Sequence, residues 1–165
     1  MQPSIPSPRV RELTTDLVRL LGRENVLSAH SELLVYECDG FVIEKNCPDV
    51  VVFPRTAEEV SQIVKLCNER DVPFLPRGAG TSLAGGCLPV GGGVMIVLTK
   101  MKRILEINLR DRYAVVEPGV VNVRLTNALR GSGFHYAPDP SSQGLARSAA
   151  TWRRTQAARI RSSTA

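Results

Sequence analysis

The sequence predicts an α+β fold that contains a βαβ unit. Two observations carry this. The short apolar runs Val50-Val51-Val52-Phe53 and Val72 to Leu75 flank an amphipathic segment that begins at Thr56. Further along, Ile104 to Asn108 and Tyr113 to Val116 read as a hairpin around Arg110-Asp111-Arg112.

The elements follow in order. Arg9 to Leu21 places Val10, Leu13, Leu17, Leu20 and Leu21 three and four residues apart, an amphipathic helix that ends near Gly22. Ser31 to Tyr36 fits a short helical turn, and Cys38 to Pro48 has no period. Val50 to Phe53 is a buried strand stopped by Pro54. Thr56 with Glu59 three residues on forms a capping box. The helix it opens exposes Glu58, Glu59 and Lys65 and buries Val60, Ile63, Val64 and Cys67. Asp71 ends that helix, and Val72 to Leu75 is the second strand, parallel to the first. Val94 to Leu98 is a third. Asn122 to Gly131 is a helix with Val123, Leu125 and Leu129 as core positions; Phe134 to Tyr136 is a short segment before the fixed loop Ala137-Pro138-Asp139-Pro140.

Charge is distributed unevenly. The net charge is +5, yet residues 145–165 hold Arg147, Arg153, Arg154, Arg159 and Arg161 and no acid. The preceding residues are therefore neutral. The same tail holds the one tryptophan, Trp152. No apolar run approaches the roughly 20 residues a membrane helix needs, and the polar, Pro-rich Met1 to Pro8 does not resemble a secretory signal. These features predict a cytoplasmic protein, or one at the inner face of a membrane. Cys38, Cys47, Cys67 and Cys87 form no CxxC pair and have no histidine at ligand spacing, so no metal site is expected and the thiols are read as reduced, buried small groups.

The stretch Pro76-Arg77-Gly78-Ala79-Gly80-Thr81-Ser82 carries the chemistry. Gly78 and Gly80 permit positive φ and remove side chains, so main-chain N–H groups can converge on an anion. Thr81 and Ser82 add hydroxyl donors, and Arg77 adds charge nearby. A pyrophosphate suits such a nest; a flexible turn between strands is the other reading. A third glycine at dinucleotide-fold spacing is missing, as is a Gly-Lys-Ser/Thr triplet, so neither a Rossmann turn nor a P-loop is expected.

Four ordered motifs narrow the choice. Val51-Val52-Phe53-Pro54-Arg55-Thr56-Ala57-Glu58-Glu59-Val60, Pro76 to Ser82, Val116-Glu117-Pro118-Gly119-Val120 and Pro138-Asp139-Pro140-Ser141-Ser142 together resemble the FAD-binding domain of the vanillyl-alcohol oxidase and p-cresol methylhydroxylase type. Tyr36-Glu37-Cys38-Asp39-Gly40 is most similar to the branch of glycolate oxidase FAD-linked subunits, with D-lactate dehydrogenases of the same type close by. The resemblance implies the N-terminal part of a PCMH-type FAD-binding domain. It implies that Pro76, Arg77, Gly78, Ala79, Gly80, Thr81 and Ser82 wrap the FAD pyrophosphate, and that Pro138, Asp139, Ser141 and Ser142 lie against the cofactor. It also implies a 2-hydroxy-acid substrate such as glycolate or D-lactate, and further oxidase subunits, an iron–sulfur subunit among them. Some relatives attach flavin through a histidine in the Gly-rich loop; here His30 and His135 lie elsewhere, so non-covalent FAD is expected. The remaining flavin domain, the substrate cap and the catalytic residues would lie beyond this chain, and no catalytic residue is assigned. Within enzymes, a cell-wall precursor reductase with the same flavin domain is the runner-up, and Tyr36 to Gly40 argues against it.

The expected organisation is a helical lead-in at 1–46, a partial flavin domain at 47–144 and a basic tail at 145–165. In relatives, Pro-Asp-Pro-Ser-Ser is followed by Thr-Ile-Gly-Gly-Asn-Val-Ala-Glu-Asn-Ser-Gly-Gly-Pro-His and then Lys-Tyr-Gly. From Ala146 onward a shifted reading frame permits those words in order. Arg147 as CGA and Ser148 as TCG, for example, yield ATC, isoleucine, and Thr151 as ACG before the TGG of Trp152 yields valine. The tail is therefore expected to be frame-shifted coding, with no nucleic-acid partner. The rival is a non-catalytic binding module whose basic tail holds nucleic acid or an acidic partner.

Overall fold

The structure, a computed structural model, describes residues 7–40 and 42–137 and the backbone of 157–159 and 161–162. It divides into two compact units, Met1–Leu98 and Thr99–Ala165.

In the first unit, α1 (Pro8–Leu21) starts where the Ser7 hydroxyl accepts from the Val10 N–H at 3.3 Å, with proline in its first turn. It ends at Gly22, whose φ of +84° turns the chain. Its buried stripe is Val10, Leu13, Leu17 and Leu21. The next strand, β1 (Val26–Leu27), is two residues long and carries no readable period, yet Val26 is fully buried. The expected helical turn is present as α2 (His30–Leu33) and the tight turn Leu34–Tyr36 that follows it.

Then come β2 (Val50–Val52), α3 (Ala57–Glu69), β3 (Phe74–Arg77) and β4 (Val94–Val97). The sheet order is β1-β2-β4-β3, with β1 antiparallel to β2 and the other neighbours parallel. The βαβ strands β2 and β3 thus run the same way, as predicted, but β4 lies between them and pairs with both. Met95 stands opposite Val51 on one side and Leu75 on the other. All four β4 residues are buried. Alternation splits the apolar runs: Val50, Val52, Val94 and Ile96 pack on α1 and α3 through Leu13, Leu17, Ile63 and Cys67. Val51, Met95 and Val97 pack on the other face with Leu33, Tyr36 and Phe53. Burial pushes the Cys67 thiol up to about 11.

Three local expectations need correction. The Thr56 hydroxyl accepts from the Glu59 N–H at 3.2 Å, but the Glu59 carboxylate takes the Arg55 N–H at 2.6 Å instead of closing the box on Thr56. Val60 and Val64 are half-buried, and Ile63 with Cys67 forms the buried stripe. The strand read at Val72 to Leu75 begins two residues later. Asp71 takes a φ of +52° and Val72 turns into the core, so its apolar character serves packing ahead of the ladder. Pro76, which has no N–H, sits in β3 at the end of the sheet order, where a missing donor is tolerated.

In the second unit β5 (Ile104–Asn108) and β6 (Tyr113–Val116) form the predicted hairpin, with Asn108 opposite Tyr113. The Asn108 side chain accepts from the Asp111 N–H at 2.9 Å, and Arg112 takes a φ of +56° to close the turn. The helix α4 is Asn122–Ala128, shorter than predicted. Leu125 and Leu129 are buried, whereas Val123 is exposed, contrary to expectation. Leu125 and Leu129 are one turn apart, and Val123, two residues before Leu125, falls on the opposite face. They pack with Ala114 and Tyr136. The strand β7 (Phe134–His135) is antiparallel to β9 (Arg161–Ser162), and β8 (Ala157–Arg159) is antiparallel to β6. Backbone pairing over two or three residues demands no side-chain pattern, so the lack of periodicity from Leu145 onward does not preclude it.

Candidate functional site

The Gly-rich loop leaves the end of β3, the strand holding Pro76 and Arg77. Gly78, Ala79, Gly80 and Thr81 are half-buried, and Ser82 is exposed. Gly80 has a φ of +73°, in the region where a side chain is strained. Among the described residues, no main-chain N–H of Ala79, Gly80, Thr81, Ser82 or Leu83 donates to a protein acceptor. Successive main-chain donors not used by the fold are available to an anion, as in a nest. The Ser82 hydroxyl accepts from the Ala84 N–H at 3.2 Å.

Arg77 is buried, and its guanidinium does not stand free. Nη2 donates to the Cys38 carbonyl at 2.9 Å and Nη1 to the Tyr36 carbonyl at 3.4 Å and the Cys87 sulfur at 3.7 Å. The cation lies 5.6 Å from the Tyr36 ring centre. Burial raises the Tyr36 hydroxyl above its ordinary value, and the Arg77 charge partly offsets this. Burial likewise raises the Cys87 thiol against the pull of Arg77.

A second segment, residues 36–40, backs this loop. Gly40 N–H donates to the Ser82 carbonyl at 2.9 Å, and the buried Asp39 carboxylate accepts from the Gly85 N–H at 2.9 Å. In the sequence, Tyr36 to Gly40 stands out only as a mark of resemblance. No local pattern announces that a segment about forty residues upstream supports the loop.

The structure therefore places Pro76 through Ser82 together. Pro138, Asp139, Ser141 and Ser142 lie outside the described residues. Among the described residues no three His, Cys, Asp or Glu side chains converge as metal ligands, and no helix is long and apolar enough to cross a membrane. An open groove between α1 and α3 is lined by Asp16, Arg19, Gln62, Lys65, Glu69 and Arg70, away from the loop residues. Three cations and two carboxylates line it, and Asp16 pairs with both Arg19 and Arg70.

A family profile described as FAD binding domain matches residues 48–150. Glycolate oxidase subunit GlcD of Bacillus subtilis (strain 168) is 36% identical over 135 residues, 82% of this chain and 29% of that protein. The mitochondrial D-lactate dehydrogenase (cytochrome) of Arabidopsis thaliana is 45% identical over 95 residues, 58% of this chain and 17% of that protein. The crystal structure of p-cresol methylhydroxylase with substrate bound superposes with a TM-score of 0.76 at 26% identity, over 87% of this chain and 29% of that one. The chain thus spans less than a third of the length of each.

Proposed function

This chain belongs to the FAD binding domain family, and from that premise we propose that it is the pyrophosphate-binding front of an FAD-linked oxidoreductase acting on a 2-hydroxy acid. The observation that supports this most is that, among the described residues, none of the five N–H groups from Ala79 to Leu83 donates to a protein acceptor, on a loop where Gly80 takes a positive φ. In this reading Pro76 and Arg77 anchor the loop, and Gly78, Ala79, Gly80, Thr81 and Ser82 hold the FAD pyrophosphate through main-chain donors and two hydroxyls. The Arg77 guanidinium, beneath Gly80, adds positive charge at short range. Pro138, Asp139, Ser141 and Ser142 complete the contact. Bound FAD supplies the two-electron acceptor for oxidising the 2-hydroxy acid to the 2-oxo acid.

The relatives' names, glycolate oxidase subunit and D-lactate dehydrogenase, support glycolate or D-lactate as the substrate of the whole protein. The word subunit supports further chains in the assembly, and we extend this to an iron–sulfur subunit and a location in the cytoplasm or at the inner membrane face. No catalytic residue is assigned to this chain. The proposed organisation is a helical lead-in at 1–46, a partial flavin domain at 47–144 and a basic tail at 145–165.

The test is a titration of FAD with the chain, read by quenching of flavin fluorescence, followed by acid precipitation. Saturable quenching with all yellow colour released to the supernatant is the expected result. Absence of quenching would refute the flavin reading, and colour retained in the pellet would refute the non-covalent one.

A further inference from the structure

We infer that Asp39, Gly40 and Arg77 are positioning residues that aim the N–H groups of the Gly-rich loop at the pyrophosphate. The inference rests on the flavin reading above and adds to it a second segment, remote in sequence, on which cofactor affinity depends.

In a trans peptide the carbonyl of one residue and the N–H of the next point in opposite directions. Gly40 N–H holds the Ser82 carbonyl at 2.9 Å. A Cβ placed on Gly40 would meet the Ser82 oxygen at 3.0 Å and the Thr81 oxygen at 3.1 Å. Both carbonyls therefore face the Tyr36–Gly40 segment. Their partner groups, Ser82 N–H and Leu83 N–H, face away from it, on the side where a bound anion would have to sit. Without this hold the two peptide planes could rotate, and each would offer an oxygen to the ligand in place of a donor.

Two further links fix the ends of the loop. Asp39 takes the Gly85 N–H at 2.9 Å, three residues past Ser82. Arg77 donates to the carbonyls of Tyr36 and Cys38 at the loop's start. Asp39 and Arg77 are both more than nine-tenths buried, where such bonds are hard to replace by water. The segment from 36 to 40 thus grips the loop at its start, near its middle and at its end. Preorganising a loop in its bound geometry raises affinity by reducing the ordering cost on binding.

The experiment measures affinity for FAD and for ADP, which carries the pyrophosphate without the flavin ring, on the full chain and on Gly40→Ala, Asp39→Ala and Asp39→Asn, each with its thermal midpoint. Gly40→Ala pushes on the Ser82 and Thr81 carbonyls. Asp39→Ala frees the Gly85 N–H, and Asp39→Asn keeps an oxygen acceptor there. The expected result is a loss of about tenfold for Gly40→Ala and Asp39→Ala, of equal size for both ligands, with Asp39→Asn recovering most of it. Midpoints near the wild-type value would locate the effect in the loop. Wild-type affinity in both Gly40→Ala and Asp39→Ala would overturn the inference, as would a loss that only tracks a lowered folded fraction. A wild-type chain that binds neither ligand would instead remove the flavin reading on which the inference rests.

Discussion

Gly80 leaves room for the Arg77 guanidinium: a Cβ on Gly80 would lie 2.6 Å from the Arg77 Cζ. That distance is far inside van der Waals contact, and the Gly80 φ of +73° is also unfavourable to any side chain. The loop and the arginine beneath it can coexist in this form only with glycine at this position.

Gly80→Ala is therefore expected to strain the backbone by ~1–2 kcal/mol and to displace Arg77 from Tyr36 and Cys38. FAD affinity should fall at least about tenfold, and Gly80→Val should remove it. Fluorescence titration checks both. Unchanged affinity in Gly80→Val would mean that this loop does not cradle the phosphate.

Glu117 gives a pH prediction. Burial opposes its charge, but its carboxylate accepts from Arg103 N–H at 2.7 Å and Arg103 Nε at 2.8 Å, and the guanidinium charge adds to these. The net effect holds the carboxyl below its ordinary value. A depressed carboxyl stabilises the fold fully above its unfolded value of roughly 4.3 and loses that contribution as pH falls through the lower folded value. The thermal midpoint of wild type should exceed that of Glu117→Gln near neutrality, with the gap narrowing below about pH 4. A pH-independent gap would contradict this assignment.

Ile63 is fully buried between α3 and the sheet, and Ile63→Ala should cost about 2–5 kcal/mol. Val90 is 87% exposed, and Val90→Ala should change stability by less than about 0.5 kcal/mol. Urea unfolding of the two variants side by side checks the difference.

Much of this was legible in the sequence because the signals were local. Thr56 before a 3.6-residue apolar stripe marks the start of α3, and Gly22 marks the end of α1. The hairpin 104–116 was readable from alternation and a turn. What escaped was non-local. Val26 pairs with Val52 across 26 positions, and β4 enters between β2 and β3, with no mark in either strand. At the site, the glycines of the loop were visible, but the destination of the Arg77 side chain was not. It depends on carbonyls at Tyr36 and Cys38, which every residue type carries.

The tail gives a prediction about the gene. Codons 146–165 should spell Thr-Ile-Gly-Gly-Asn-Val-Ala-Glu-Asn-Ser-Gly-Gly-Pro-His-Thr-Leu-Lys-Tyr-Gly when read from the third base of each codon. Sequencing the coding DNA around codons 143–146 checks this, and one base gained or lost is expected there. Codons that do not spell the segment would leave the five arginines of the tail in need of a role of their own.

The position of β4 has a consequence for synthesis on the ribosome. When residues up to Arg77 have emerged, β2 has only β1 beside it and β3 has no hydrogen-bonding neighbour, because the strand that joins them is still to come. The sheet cannot close until Val97 has left the exit tunnel, and until then a slot one strand wide separates two edges of unpaired backbone N–H and C=O groups. A nascent chain stalled with Gly93 at the tunnel mouth should be cut readily by protease, and one extended past Val97 should resist; equal sensitivity would mean that the slot is not what delays folding.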